Sequence, residues 1–469
     1  MKAQSAIWGV AVLVLSGSAV AQEKDPRMNP PVQPVGVEST SKAPTGVNAA
    51  PMQEKTIEKE PLSGSRWLGL GSLGGSRSYL QPSFSVSQGA DMSVIGPNTT
   101  RAQTQVHAGM LLRREWQRYL IDLNYSAGGV VYGTNRKAAL VQGLGLDQTI
   151  SLRRWTITIG DTFSYLPESG FGAPLLGNVG NGAFGGGVGG VLNGNPLFNP
   201  AQTIITNRGS RISNSATGQV QYDVNRQLSF TGSAGYGILR FLDNTAGLLE
   251  SNSLTAQAGM NYAFGRFDSM AVTYSLQQTR FKGVAGGADS HSVQLSYARR
   301  MTGRMVLQVG AGPQIRDFSI PGQTPSARLS WTATSRVLYA MRDMDLAFAY
   351  SRFMTNGSGV LLGASTDSFD LTATRNIGRH WHTTFGSGLA LNRSLAQSVA
   401  GTNQSHFRTW HANGSLGRAI GRSMNMNLTY SYQNQNQTVC GVTAICFPDT
   451  QRHVFGLMFG WRPRPIELN

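Results

Sequence analysis

The chain has 469 residues, a net charge of +16 and only 14% charged residues, against roughly 25% in a typical soluble domain. Glycine is abundant at 57 residues and hydrophobic residues make up 40%, yet no apolar run of 18 or more residues follows the N-terminus. This balance argues against a string of ordinary soluble domains and against a helical membrane protein. It suits strands that keep one face in lipid and the other in water.

In chain order, Lys2 gives a charged start, Ile7 to Leu15 an apolar core, and Ala19-Val20-Ala21 a small-x-small cleavage site before Gln22. Residues 1–21 therefore read as a secretory signal peptide, and the mature chain is expected to leave the cytoplasm. Residues 22–65 are rich in Pro, Ser, Thr and charge and show no hydrophobic period. They read as a flexible periplasmic extension, a candidate dock for a periplasmic partner. Residues 66–469 are assigned to the barrel argued next.

The stretch SVQLSYARRMTGRMVLQVGAG, residues 292–312, shows the pattern. Val293, Leu295 and Tyr297 alternate with Ser292, Gln294 and Ser296, a short basic turn follows, and Met305, Leu307 and Val309 alternate again. Period two with a short link is an antiparallel hairpin. Similar segments recur from about Tyr79 to the end, roughly 18 in all with 16 as the alternative count, most of them 11 to 15 residues long. That exceeds the globular mode of about 5–6 residues and suffices for a tilted membrane strand of about 9–11. Short links and longer loops alternate, which places both ends of an even-stranded barrel on the short-turn side. A β-sandwich can alternate in this way, but with shorter strands and less systematic loops. The fold class expected is all-β, a transmembrane antiparallel up-and-down β-barrel.

One position breaks the pattern. Asp161 falls on the oily row of WTITIGDTFSY, between Ile159 and Phe163, so a bulge near Gly160 or a shifted register is expected there.

The arginines sit at or beside the short turns, among them Arg113, Arg118, Arg153, Arg154, Arg304 and Arg342. There they can snorkel to anionic head groups of the outer-membrane lipids, with Trp116, Trp155 and Trp381 as an aromatic girdle. This placement argues against nucleic acid as the partner of a basic chain. The other face of the strands is mostly Ser, Thr, Asn, Gln and Gly. By parity, Arg211, Arg316, Arg328 and Arg336 point into the lumen, as do Asp223, Asp345 and Asp370. Gln277, Gln308 and Asn427 lie on polar rows, and His411 lies beside Thr409 and Asn413. These eleven are the candidate pore-lining residues.

The two cysteines, Cys440 and Cys446, lie six apart in an exported chain, and a local disulfide is the leading reading over a metal or redox pair. His380 and His382 flank a short turn without a further ligand, so no metal and no cofactor are expected. The Gly-rich run near 182–194 lacks the GxxxxGK[ST] pattern of a phosphate loop.

Over residues 79–461 the chain resembles Gram-negative outer-membrane porin-like β-barrels. In that family the last strand often ends in an aromatic assembly signal. Here HVFGLMFGW puts Phe455, Leu457, Phe459 and Trp461 on one row, before RPRPIELN. The resemblance implies a long third external loop that enters the pore, and here that loop spans 167–209, with Glu168 its acidic residue. The expected function is an outer-membrane channel for passive diffusion of small hydrophilic solutes, not an enzyme, in a Gram-negative bacterium. An export channel for a polymer such as an exopolysaccharide is the alternative, and a barrel-borne enzyme the second.

Overall fold

The computed structural model describes residues 78–94, 99–133, 138–166, 210–242, 249–283, 286–319, 326–355, 361, 363–378, 380–395, 406–437 and 449–468. The signal peptide, the extension at 22–65, the loop 167–209 and the proposed Cys440–Cys446 pair lie outside them.

Length and alternation in the sequence produce long strands. The first six are β1 (Tyr79–Val94), β2 (Thr99–Glu115), β3 (Tyr119–Tyr132), β4 (Ala138–Ser151), β5 (Trp155–Leu166) and β6 (Arg211–Asp223). Next come β7 (Leu228–Phe241), β8 (Ser251–Ala263), β9 (Asp268–Phe281), β10 (Gly287–Thr302), β11 (Met305–Ser319) and β12 (Ser326–Ala340). The third group is β13 (Met344–Thr355), β14 (Ala364–Ile377), β15 (Trp381–Ser394), β16 (His406–Ile420), β17 (Met424–Gln437) and β18 (Thr450–Trp461). A two-residue β19 (Ile466–Glu467) follows.

Each long strand pairs antiparallel with its neighbours in sequence, and β18 returns to β1 through Phe84↔Trp461 to Val94↔Gln451. The sheet is therefore a closed barrel of eighteen strands, which removes the open edges that hydrocarbon does not tolerate. The tail RPRPIELN is not loose. It folds back so that Leu80 pairs with Ile466, while Gln81 Nε2 donates to the Pro463 carbonyl at 3.1 Å. No periodicity marks a two-residue strand, so the sequence did not reveal it.

The short turns are tight hairpins. Trp116 N–H donates to Tyr119 O at 2.8 Å and Leu152 N–H to Trp155 O at 2.8 Å, each spanning two residues. Gly378 (φ 66) and Gly421 (φ 68) occupy the left-handed region in two other short turns, where a side chain is strained.

The outward rows are apolar and exposed, as at Val272, Tyr274, Val293, Leu295 and Leu457. A girdle of rings marks the short-turn end. Trp155 packs against Tyr222 with ring centroids 4.5 Å apart and planes tilted by 41°, and the guanidiniums of Arg114 and Arg418 lie 4.9 and 5.2 Å from the rings of Trp116 and Trp381. Arg113 does not join them. It faces inward at 5% exposure, 3.9 Å from Asp122, because its parity in β2 is opposite to that of Arg114.

Asp161 departs from the bulge or shifted register expected of it. The ladders through Leu146↔Asp161 and Asp161↔Ala216 run without a break, and Asp161 stays on the outer face. There Asn214 Nδ2 donates to its carboxylate at 2.8 Å. At about 3.4 Å per residue and a tilt near 40°, Asp161 lies about 15 Å above Trp155, well inside a hydrocarbon band about 25 Å tall. The pair supplies its own partner. Asp161→Ala leaves the Asn214 amide only its longer bond to the Thr162 carbonyl at 3.3 Å and should cost about 1 kcal/mol, whereas Asp161→Ala with Asn214→Ala should be nearly neutral. Urea-dependent folding into lipid vesicles checks this. Equal losses in the single and double variants would disprove the coupling.

Candidate functional site: the barrel interior and its outer mouth

All eleven candidate residues lie on strands whose inward parity is fixed by an unbroken ladder. Gln277, Asp370, His411 and Asn427 are nearly fully buried on that wall, while Arg328 is exposed near one end. A concave wall leaves less room per side chain than the convex one, which is why even Thr409 and Ser431 are hidden there.

Part of the wall is one continuous polar row. Asp370, Gly388, His411, Gln433 and Arg452 are register partners across β14 to β18. A Cβ on Gly388 would collide with the His411 ring and the Asp370 carboxylate, so glycine is what lets the two approach. Ser368 donates to Asp370 Oδ2 at 2.7 Å. The row ends in an ion pair that joins the last strand to the first. Arg452 Nε donates to Asp91 Oδ1 at 3.0 Å and Nη2 to Oδ2 at 2.6 Å. Parity alone would have found Arg452, but Asp91 lies at the edge of the first alternating segment.

Apart from the Arg452–Asp91 pair at the outer end and Asp370 mid-strand, the inner charges named here are sorted along the barrel axis. Asp122, Asp147, Asp223 and Asp345 all lie within a few residues of the short turns, with Arg113 and Arg336 among them. Arg211, Arg316 and Arg328 lie near the long-loop ends of β6, β11 and β12.

The long-loop mouth is not an open ring. Met354, near the end of β13, packs with Phe281, Ala288 and Phe318, which sit on the inner faces of β9, β10 and β11. Leu361 packs with Ala364 and with Phe407, on the inner face of β16. A Cβ on Gly363 would come 3.1 Å from Leu395 Cδ1 and 3.8 Å from Ala288 Cβ. The top of the β13–β14 hairpin thus folds inward and lies between the inner faces of β9–β11 and of β16. Its left-handed Gly363 (φ 77) permits the turn. The ladder to β14 continues through Met354↔Ser365 and Thr355↔Ala364 as in a wall hairpin, and the run of buried residues at Phe353–Thr355 marks the infolding only once the strands are placed.

Among the described residues, no group of three or more His, Cys, Asp or Glu is arranged to hold a metal ion. No protein-family model and no curated protein sequence matches the chain. Among solved structures it is similar to OccK2 (OpdF) of Pseudomonas aeruginosa in complex with glucuronate, at a TM-score of 0.44 and 11% identity, covering 82% of this chain and 98% of that one. It is also similar to Pseudomonas aeruginosa OccK5 (OpdH), at 0.43 and 12%, covering 83% and 98%. A third is the outer membrane protein OpdK of Pseudomonas aeruginosa, at 0.42 and 10%, covering 82% and 99%.

Proposed function

We propose that the chain forms an outer-membrane channel for passive diffusion of small hydrophilic solutes. The observation that carries this reading is the closed barrel of eighteen strands with an apolar outer face and a polar, charged inner one. Barrels of about 16–18 strands enclose an aqueous lumen. The infolded β13–β14 top supplies the constriction at the outer mouth, and the eleven inward residues line the path. On that wall Ser368 donates its hydroxyl to Asp370. The interior is read as a passage.

Liposome swelling in isosmotic sugars tests the proposal. Vesicles holding the folded protein should swell in small sugars and progressively less in larger ones. Swelling no faster than that of empty vesicles would refute it.

The axial sorting of charge carries a second expectation. Arg211→Gln, Arg316→Gln and Arg328→Gln together remove three cations from the outer half of the passage. The reversal potential in a potassium chloride gradient should move toward cation preference, because nearby fixed charge sets the local ion concentration. An unchanged reversal potential would take these residues out of the ion path.

A further inference from the structure

The infolded hairpin has a consequence on the outer surface. The β12–β13 ladder runs from Ala340↔Asp345 only to Ala333↔Arg352. On its other side β12 stays paired with β11 as far as Phe318↔Ser326. Among the described residues, 326–332 of β12 have no strand partner on the β13 side, and every second one of them points its backbone groups into the gap. A single side-chain bond, Thr332 Oγ1 to Arg352 O at 2.9 Å, stands where the ladder lapses. Large apolar side chains border the gap on the outer face: Leu329 is 78% exposed and Trp331 48%.

Arginines converge on the same opening. Arg352, on the outer face, stacks 4.3 Å over the Trp331 ring. Arg316 and Arg328 are register partners on the inner face, and Arg316 lies within electrostatic reach of both Arg328 and Arg352. Among the described residues, the acid paired with this group is Asp367, 3.3 Å from Arg352 and also bonded by Tyr350. Asp317 lies on the outer face beyond β12, opposite Ala327. Three cations thus face one neighbouring carboxylate, and Nε of Arg316 and Nε of Arg352 are buried without a hydrogen-bond partner. Taking about 3.4 Å per residue and a tilt near 40°, Trp331 to Arg328 lie about 20–30 Å above the aromatic Tyr339, at the level of the far membrane interface.

We propose that the β12–β13 gap is a binding site for an anionic lipid of the outer leaflet. Its phosphate sits between Arg316, Arg328 and Arg352, and its acyl chains lie against Leu329 and Trp331. Phosphate oxygens satisfy the stranded guanidinium donors, head-group hydroxyls meet the unpaired backbone, and apolar chains cover the exposed rings. A free phosphate would satisfy only the first of these. The site rests on the reading of the barrel as membrane-embedded.

Native mass spectrometry of the detergent-purified barrel tests it, with phosphatidylglycerol and phosphatidylcholine as probes and inorganic phosphate as competitor. Membrane insertion is scored separately by heat-modifiable migration after reconstitution, so a barrel that fails to insert refutes the embedding and not the site. One phosphatidylglycerol should be retained in preference to phosphatidylcholine. Arg316→Gln with Arg328→Gln should weaken that binding about tenfold or more, through the loss of two charge-assisted bonds. Trp331→Ala should weaken it while leaving the arginines in place, and Arg408→Gln, an exposed arginine on the outer face of β16, should leave it unchanged. Equal retention of the two lipids would overturn the proposal. So would equal retention in the arginine variants, or displacement of the lipid by inorganic phosphate alone.

Discussion

Asp91→Ala should lower the stability of the folded barrel by about 3–5 kcal/mol, the cost of leaving one member of a buried ion pair without the other. Arg452 and Asp91 are only 14% and 9% exposed, and they meet across the one seam where the end of the chain joins its beginning. Apart from the two-residue β1–β19 pairing at the same seam, every other ladder joins strands consecutive in sequence, so its closure entropy is smaller. The β1–β18 ladder closes the whole barrel, and its polar clamp carries a larger share of the specificity for closure. Urea midpoints of folding into vesicles measure the loss. Arg452→Ala should cost a similar amount, and Asp91→Ala with Arg452→Ala less than the sum of the two. Strict additivity would show that the pair does not act as a clamp.

The second large effect concerns the mouth. Replacing residues 354–365 by a two-residue Asn-Gly turn removes Met354, Leu361 and Gly363, which hold the hairpin between β9–β11 and β16. Strands β13 and β14 remain paired from Phe353↔Thr366 to Met344↔Arg375. The single-channel conductance should rise at least about twofold, since passage is set by the narrowest section of the path. Unchanged conductance from a folded variant would place the constriction elsewhere and make the infolded hairpin a surface feature. The exposed edge of β12 also predicts that this variant keeps its gap, because shortening the hairpin adds no partner for residues 326–332.

Much of this architecture could be read from the chain. The rows Met270, Val272, Tyr274 and Leu276, or Met424, Met426, Leu428 and Tyr430, face outward as alternation requires, because a barrel wall has only two sides. The inward placement of Arg211, Arg316 and Asp370 followed from the same parity. What failed to show was everything that depends on how far a ladder continues. Arg113 looked like a turn arginine until its strand was seen to run on to Glu115. Asp161 suggested a bulge because a carboxylate on the oily row seemed to need one, yet a partner on the next strand, Asn214, was enough. The inward turn of β13 comes from tertiary packing of Met354 and Leu361, and there Phe353, Met354 and Thr355 are all buried in succession, which only the folded neighbours explain. The Arg452–Asp91 clamp joins residues 361 apart in sequence, beyond the reach of any local pattern.

The most direct measurement is the single-channel conductance of the purified protein in planar bilayers, with neutral sugars added to one side. A diffusion channel should give steady, untriggered current steps that shrink when a sugar small enough to pass the outer mouth is present. Protein shown by circular dichroism to be folded β-structure, inserted in the bilayer and yet silent, would contradict the diffusion channel at its root.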